Sequence, residues 1–396
     1  MHVYNRYNMD ELEKIVKVID SEKINKKYID SKQLIEYVES FIKRKSLILY
    51  GGFAINLLMP KKDKFYKSFT INDFDCYSVN AKEDAKELAE ELAKNNYPYI
   101  KVKKALHENT YKVYVNFLQV IDITQISKEE YDGLKKAAEY EKVNTKLYKY
   151  YNDTFSIAPV MYLKGNMHFE LSRPLNSYFR WEKIFYRMHL LTKLFQYKKV
   201  NIIEEHLTPS KAFKKVLEYI KKSGHVIVGK NALKYYDITN EYDMHLDILS
   251  KNPQETRDAL VKLLNSNSNS NSKKSIKTSV KNKNGFYIIS DGIIHIRIIN
   301  TKDECYSYFK SNGYLIGSYD TVLYFMYNDY LQYIINDNID EMHNIYQYIS
   351  ALEYYINNEL QNDPIKRLKT DCFGKYTSLK DILAKKWKKK QTIVYY

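Results

Sequence analysis

Apolar and polar residues alternate in the first part of the chain with two periods, one typical of helices and one typical of strands. Residues 10–45 carry apolar side chains every three or four positions, which predicts helix. The apolar residues Leu47–Tyr50 predict a short buried strand, which passes through Gly51 and Gly52 into an apolar helix that ends near Met59. A strand that turns on glycines into a helix offers backbone N–H groups and the positive helix end to an anion.

Acidic residues occur in the strand patterns that follow. Asp73 and Asp75 are two positions apart, so a strand would place both carboxylates on one face. After a predicted helix over 81–95, residues 99–102 and 111–126 have strand patterns, and the second is predicted to fold into a hairpin near Asn116.

Asp122 lies alone in the apolar run Val120–Thr124 of that hairpin. A charge in such a strand is costly unless it binds a cation or a hydrogen-bond donor. Carboxylate oxygens are ligands for hard cations such as Mg²⁺ or Mn²⁺. We therefore predict that Asp73, Asp75 and Asp122 are metal ligands.

Composition limits the class of protein. The chain has 396 residues, of which 44% are hydrophobic, enough for two or three domains with packed cores. Its formal net charge of +15 favours a polyanionic partner, with nucleic acid ahead of an acidic membrane surface. No run of 18 apolar residues is present, so we expect no membrane span and no signal peptide.

The three cysteines are far apart in the sequence: Cys76, Cys305 and Cys372. An odd number of widely spaced cysteines predicts neither a disulfide framework nor a zinc site. The expected compartment is therefore a reducing one.

The glycine pair, the Asp73-Phe74-Asp75 triplet and a later strand aspartate, in this order, resemble the nucleotidyltransferase superfamily that includes DNA polymerase β, poly(A) polymerases and CCA-adding enzymes. Leu171-Ser172-Arg173-Pro174, followed by Arg180-Trp181-Glu182-Lys183 and Arg187, resembles a stretch of the poly(A) polymerase catalytic subunits of large nucleocytoplasmic DNA viruses, of the mimivirus and poxvirus type. The match covers roughly residues 47–195.

The resemblance implies roles for individual residues. Asp73, Asp75 and Asp122 would be catalytic and would bind two divalent metals, Mg²⁺ or Mn²⁺. Gly51 and Gly52 would hold the triphosphate of ATP. Three cationic residues would offset its charge as nucleotide-binding residues, or would instead form salt bridges: Arg173, Lys183 and Arg187.

The second half of the chain contains an imperfect internal repeat. Residues 225–233 align with 47–55, and residues 240–245 align with 72–77. In this copy Lys230 replaces the second glycine and Arg297 stands at the third acidic position. Because a guanidinium would repel a metal, the copy is predicted to lack the chemistry of the first.

These patterns predict an α/β (α+β) fold. We expect an N-terminal helical segment over 1–45 and a nucleotidyltransferase-fold catalytic domain over 46–199, with a mixed sheet and flanking helices. A degenerate nucleotidyltransferase-like domain with a basic tail would occupy 200–396. Within it, the Asn/Ser repeat and the lysines of 265–284 predict a flexible loop.

The tail is basic, with ten Lys or Arg against three Asp after residue 360. A basic run with one aromatic residue suits single-stranded nucleic acid, although a solvated terminal helix explains it equally well. The weak RNA-binding candidates are Lys385, Lys386, Trp387, Lys388 and Lys389.

The expected function is that of a template-independent poly(A) polymerase that adds AMP from ATP to single-stranded RNA 3′ ends. The alternatives are another RNA nucleotidyltransferase, such as a CCA- or U-adding enzyme, a D-x-D glycosyltransferase, or a non-catalytic RNA-binding subunit. The resemblance further implies a homodimer or a processivity subunit, no membrane, and a location in the host cytoplasm, its viral factories or the virion.

Overall fold

The chain folds into two compact units, which divide after Pro159. The computed structural model describes residues 32–66, 74–105, 107–144, 154–200, 202, 209–240, 242–265, 277–281, 286–290, 294–301, 304–376, 378, 384 and 392–395. The first unit contains the described residues up to Pro159 together with the C-terminal strand, and the second contains those from Val160 to 384.

The first unit is built on strands that alternate with amphipathic helices. Its strands are β1 (Ile48–Tyr50), β2 (Phe74–Ser78), β3 (Lys101–Lys104), β4 (Thr110–Val115), β5 (Leu118–Gln125) and β6 (Ser156–Ile157). Its helices are α1 (residues 32–44), α2 (Gly51–Leu58), α3 (Ala81–Lys94) and α4 (Lys128–Asn144), with a 3₁₀ turn at Lys61–Asp63.

The second unit has more helix. Its strands are β7 (Val226–Val228), β8 (His245–Ser250), β9 (Lys277–Lys281), β10 (Phe286–Ser290), β11 (His295–Asn300), β12 (Cys305–Ser311), β13 (Tyr314–Gly317) and β14 (Cys372–Gly374). Its α-helices are α5 (Val160–Leu171), α6 (Pro174–Ser177), α7 (Trp181–Leu194), α8 (Lys211–Ser223), α9 (Pro253–Asn265), α10 (Tyr319–Ile335), α11 (Ile339–Tyr354) and α12 (Pro364–Arg367). The chain forms 3₁₀ helices at Tyr178–Arg180 and Lys230–Tyr236 and a π turn at Tyr355–Glu359, and β15 (Thr392–Tyr395) returns to the first unit.

The first sheet is mixed, with the strand order β15-β3-β4-β5-β2-β1-β6. Its β2 and β5 are parallel neighbours, whereas β1 pairs with β2 and β4 pairs with β5 in antiparallel fashion. The face toward α3 is apolar: Val102, Val113, Ile121 and Ile123 are fully buried there. Asp122 and its register partners alternate with these residues and lie on the other face.

The second sheet repeats this pattern. Within its order β14-β12-β13-β7-β8-β11-β10-β9, six strands have the same neighbours and the same directions as β6-β1-β2-β5-β4-β3 of the first sheet. In particular, β8 and β11 are parallel, and β7 pairs with β8 in antiparallel fashion. The predicted internal repeat is therefore a repeat of topology.

A buried network of charges ties α5 into the second unit. Lys164 donates to Glu353 at 2.9 Å, and His168 lies between Asp320, at 2.8 Å, and Glu353, at 3.2 Å. Arg367 completes the network with a 2.6 Å bond to Asp320. The predicted boundary at 199/200 differs from the observed one because these bonds join α5 to α10, α11 and α12.

Cys305 and Cys372 form a disulfide, which corrects the expectation from the cysteine count. They are 67 positions apart, but β12 and β14 pair in antiparallel fashion and bring them together. Cys76 is a buried free thiol.

Most predicted elements are confirmed where the chain is described. The helix over 81–95 and the hairpin that turns at Asn116 are present, and Tyr319–Leu360 divides into two helices and a π turn. The predicted loop 265–284 contains a strand, β9, and its other residues from 266 on lie outside the described ranges, as do residues 1–31. Within the described ranges, no helix combines the length and apolar character needed to cross a membrane.

Candidate active site

Gly51 begins α2 and lies directly against the carboxylate of Asp75. Its φ is +67°, a conformation that suits glycine, and a Cβ built at this position would collide with Oδ2 of Asp75. Gly52 follows it in the first turn and is buried. Tyr50, at the N-cap, makes no side-chain cap bond to this turn. The turn from a strand through the glycine pair into a helix is as the sequence predicted, and the structure adds that the helix begins beside an acid.

Asp75 and Asp122 are direct register partners on the parallel strands β2 and β5. Paired residues of neighbouring strands point to the same face, so the two carboxylates are adjacent on the face opposite α3. Asp122 is 9% exposed. Asp73 lies outside the described residues, and among those described no group of three His, Cys, Asp or Glu side chains converges to hold a metal ion.

Lys112, on β4, is a site residue that the sequence reasoning missed. It is the register partner of Asp122, and its Nζ donates to Asp122 Oδ2 at 2.5 Å and to Gln119 Oε1 at 2.9 Å. An acid isolated in an apolar strand needs a counter-charge. Regular pairing from the turn would have placed Lys112 opposite Ile121, and the irregular pairing near Tyr114 shifts it opposite Asp122.

Tyr50 fixes the end of β1 beside the acids. Its ring stacks on Tyr77 with centroids 3.9 Å apart, and its hydroxyl lies 2.9 Å from Thr124 Oγ1. Burial, and then the negative charge of Asp75, raise the pKa of this phenol well above its ordinary value. The hydroxyl therefore stays neutral and serves as a hydrogen-bond group that anchors β1 to β5.

The cationic residues predicted to meet the triphosphate belong to the second unit. Arg173 donates from Nη1 to Glu304 at 3.0 Å, forms an ion pair with Glu170 at 3.2 Å, and lies over the ring of Phe169. Arg173 therefore forms salt bridges, which the sequence analysis gave as the alternative to nucleotide binding. On α7, Lys183 is exposed and Arg187 is 6% exposed. Their roles toward a nucleotide stay predictions.

The RNA-binding candidates of the tail lie outside the described residues: Lys385, Lys386, Trp387, Lys388 and Lys389.

The second unit has the same backbone site with different chemistry. Gly229 has φ +66°, and a Cβ there would collide with Oδ2 of Asp247, as at Gly51 and Asp75. Arg297 is the register partner of Asp247, in the position that Asp122 has in the first sheet. The predicted replacement of the third acid by an arginine is confirmed.

Arg297 fills this second site with two ion pairs. Its Nε and Nη2 donate to Asp247 at 2.8 and 2.7 Å, and its Nη2 also donates to Asp329 at 2.7 Å. Burial disfavours the cation, but the two carboxylates outweigh it and raise the pKa of Arg297 well above its ordinary value. A permanent positive charge therefore stands between the two acids.

The alignment of residues 240–245 with 72–77 was wrong in register by four positions. It matched Asp243 with Asp75, whereas strand pairing matches Asp247 with Asp75. Asp243 instead accepts a hydrogen bond from the backbone N–H of His245 and lies 3.5 Å from Lys230. The signal that identified Asp122, a lone acid in an apolar strand, is also present around Asp247 in His245–Ser250.

Comparison with known proteins finds sequence similarity over the part of the chain that holds this site. The sequence family described as "Poly(A) polymerase catalytic subunit" matches residues 36–177. A protein of Acanthamoeba polyphaga mimivirus assigned as a poly(A) polymerase catalytic subunit is 29% identical over 177 residues, and one of African swine fever virus (isolate Tick/Malawi/Lil 20-1/1983) is 33% identical over 107 residues. These alignments cover 44% and 27% of this chain, and only 28% and 22% of the lengths of the two relatives.

A solved structure extends the similarity of fold over nearly the whole chain. The crystal structure of the Megavirus polyadenylate synthase superposes with a TM-score of 0.77 at 21% identity and covers 96% of this chain and 82% of its own. The region from 36 to 177, which holds Gly51, Asp75 and Asp122, is thus similar in sequence to viral poly(A) polymerase catalytic subunits, and the chain shares its fold with the Megavirus polyadenylate synthase.

Proposed function

We propose that this chain is a template-independent poly(A) polymerase, an adenylyltransferase that extends RNA 3′ ends with AMP from ATP. The observation that carries the proposal is the direct register of Asp75 and Asp122 beside the glycine-opened start of α2. The similarity of residues 36–177 to viral poly(A) polymerase catalytic subunits supports the choice of ATP and RNA.

The proposed reaction exchanges one phosphoester bond for another. The 3′ oxygen of the RNA attacks the α-phosphorus of ATP, the bond from that phosphorus to the α,β-bridging oxygen breaks, and pyrophosphate leaves with its electron pair. The 3′ hydroxyl gives up its proton during the attack. Asp122, next to Asp75, would orient this hydroxyl and accept the proton.

The donor set fits divalent cations. Asp75 and Asp122 are adjacent carboxylates, and Lys112 already holds a positive charge 2.5 Å from Asp122. With Asp73 as third ligand, they would hold two ions, Mg²⁺ or Mn²⁺, which when bound supply charge stabilisation to the attacking and leaving oxygens. Gly51 and Gly52 would offer first-turn N–H groups to the triphosphate, because no Tyr50 side-chain bond caps that turn.

Primer extension with each nucleotide separately tests the proposal. A labelled oligo(A) primer is incubated with Mg²⁺ or Mn²⁺ and ATP, CTP, GTP or UTP, and the products are resolved by length. We expect long tails with ATP alone, and a loss of rate of about 100-fold or more in Asp75→Asn and in Asp122→Asn. Asp132→Asn is the matched control, because Asp132 is an exposed carboxylate on α4 that pairs with Lys128.

Other results would change the assignment. Short additions of CMP and AMP, or tails of UMP, would identify a CCA- or U-adding enzyme. RNA binding without nucleotide consumption would identify a binding subunit, and equal activity of the three variants would place the chemistry elsewhere.

Partners and location follow as parts of the same proposal. By analogy with its viral relatives, the protein would act in the host cytoplasm, in its viral factories or in the virion. It would act either as a homodimer or with a processivity subunit. Sedimentation of the purified chain, with and without RNA, separates a dimer from a monomer that needs a partner.

A further inference from the structure

Two aromatic side chains project from the first sheet into solvent. Phe117, in the β4–β5 turn, is 80% exposed, and Tyr99, two residues before β3, is 67% exposed. Their rings stack on each other with centroids 5.4 Å apart and an interplanar angle of 28°. The outer faces of a stacked pair with this exposure are open to a third ring.

The backbone at both positions is in the left-handed region. Tyr99 has φ +50°, and the turn residues Asn116 and Phe117 have φ +46° and +65°. Bulky residues pay of order 1–3 kcal/mol for this conformation, whereas Gly or Asn adopts it readily. The N–H of Asn116 already joins the two turns by a 3.0 Å bond to the carbonyl of Pro98. The positive φ angles and the exposed rings at Tyr99 and Phe117 therefore do not serve to stabilise the fold.

The pair lies at the end of the sheet that holds the candidate site. Because β2 and β5 are parallel, Asp75 near the start of β2 and Phe117 before the start of β5 are at the same end. Gly51, after the end of the antiparallel β1, is there too. Phe117 precedes Asp122 by five residues, about 16 Å of extended strand.

Lysines connect the pair with the acids on the same face of the sheet. Lys112 is the partner of Asp122, Lys103 is the partner of Lys112, and Lys101 follows on the same face two positions away. Of the four lysines between Tyr97 and Gln119, three lie on this face, and the one acid, Glu108, lies in the β3–β4 turn at the opposite end of the strands. The surface between the pair and the site is thus positive.

We propose that Tyr99 and Phe117 form a stacking platform for a base of single-stranded RNA, and that Lys101 and Lys103 bind its phosphates as the strand approaches Asp122. This proposal rests on the proposed function for its substrate. Exposed aromatic rings with flanking lysines suit single strands because every base has a face that can stack, and the contact is tolerant of sequence. A growing homopolymer tail needs that tolerance, since the same site must accept each new position of the strand.

Binding of RNA in the absence of ATP and divalent cations tests the platform directly. The double variant Tyr99→Asn/Phe117→Gly removes both rings and leaves residues that adopt positive φ without strain. We expect its melting temperature to equal or exceed that of the native chain, while its Kd for a 5′-labelled oligo(A), measured by fluorescence anisotropy, rises about 5- to 150-fold. Tyr376→Ala, which removes an exposed ring elsewhere, is the matched control and should not change the Kd.

The salt dependence separates phosphate contacts from stacking. Lys101→Gln and Lys103→Gln should each reduce the slope of log Kd against log salt by about 0.7, the value for one single-strand phosphate contact. The aromatic double variant should shift the line without changing its slope.

The outcomes distinguish this proposal from the proposed function. An unchanged Kd for oligo(A) in the folded double variant overturns the platform. If the double variant also loses a dimer that the native chain forms, the two rings belong to a protein interface. A native chain that binds oligo(A) through the two rings but extends no primer keeps the platform and overturns the polymerase. If the chain extends primers, the double variant should raise the KM for RNA and leave the KM for ATP unchanged.

Discussion

Gly51 is constrained twice, by its conformation and by its neighbour. Its positive φ disfavours any side chain, and a Cβ would occupy the position of the Asp75 carboxylate. Gly51→Ala should therefore displace Asp75 as well as strain the turn. We expect the rate of AMP addition to fall by about 100-fold or more, since small displacements of catalytic groups have effects of this size.

Gly224→Ala is the control that isolates the contact with Asp75. Gly224 also has φ +66°, but beyond its two chain neighbours no heavy atom of the described residues lies within 4 Å of the place that a Cβ would take. This variant should lose about 1–2 kcal/mol of unfolding free energy, measured in urea. Its rate of AMP addition should not change under conditions in which it stays folded. Equal rates of AMP addition in the two variants would show that the contact between Gly51 and Asp75 does not limit the reaction.

In the proposed metal site, Lys112 and a divalent cation would compete for the same oxygen of Asp122. Lys112→Gln removes a charge 2.5 Å from that carboxylate, so without divalent ions the variant should lose about 1–3 kcal/mol of stability. Added Mg²⁺ should then raise its melting temperature by more than it raises that of the native chain.

Lys128→Gln serves as the comparison, because its ion pair with Asp132 is solvent-exposed and contributes little. A smaller Mg²⁺ effect in Lys112→Gln than in the native chain would show that the lysine assists metal binding and does not oppose it.

The elements around the site were largely predictable from periodicity. The hairpin and α3 follow from apolar spacing, and Asp122 from its isolation in an apolar strand. The pairing of Asp247 with Arg297 was not predictable in this way, because the similar residues 240–245 precede β8 while strand register decides which acid faces the partner strand. Lys112 required the same knowledge of register, across a hairpin with an irregular pairing near Tyr114.

Arg297 on β11 binds two acids, Asp247 on β8 and Asp329 on α10. Arg297→Met would leave Asp247 and Asp329 facing each other without a counter-charge. We expect a loss of about 2–4 kcal/mol in unfolding free energy, below the full value for a buried pair because the three side chains are about a fifth exposed. Urea unfolding measures it.

A variant that breaks an exposed ion pair gives the comparison for the unfolding free energy lost in Arg297→Met. Arg257→Met removes the pair with Asp258, whose carboxylate is mostly exposed, and should change stability by no more than about 0.5 kcal/mol. Similar losses in the two arginine variants would mean that the second site is not held by Arg297. Restored stability in Arg297→Met/Asp329→Asn would confirm repulsion between the acids as the cause.

At the scale of the whole molecule, the two units repeat one topology with different charges at the corresponding positions. In the first sheet two acids are register partners, and in the second an acid pairs with an arginine. The sequence predicted this difference in charge between the two copies. The boundary between the units, however, depends on contacts of α5 with residues more than 150 positions away, such as Asp320. Local patterns carry no information about such distant partners.

The disulfide is the contact that the sequence argued against, and it makes a prediction for the second unit. Closing a 67-residue loop should stabilise the oxidised chain by about 4 kcal/mol in the chain-entropy estimate. Cys372→Ser should lose this amount in urea unfolding without reductant, and the native chain should lose it when dithiothreitol is added. Thiol labelling in denaturant checks the bond itself: one reactive thiol, from Cys76, is expected before reduction and three after it. Three thiols in the protein as isolated from a reducing cytoplasm would mean that β12 and β14 pair without the bond, and Cys372→Ser should then leave the unfolding free energy unchanged within about 0.5 kcal/mol.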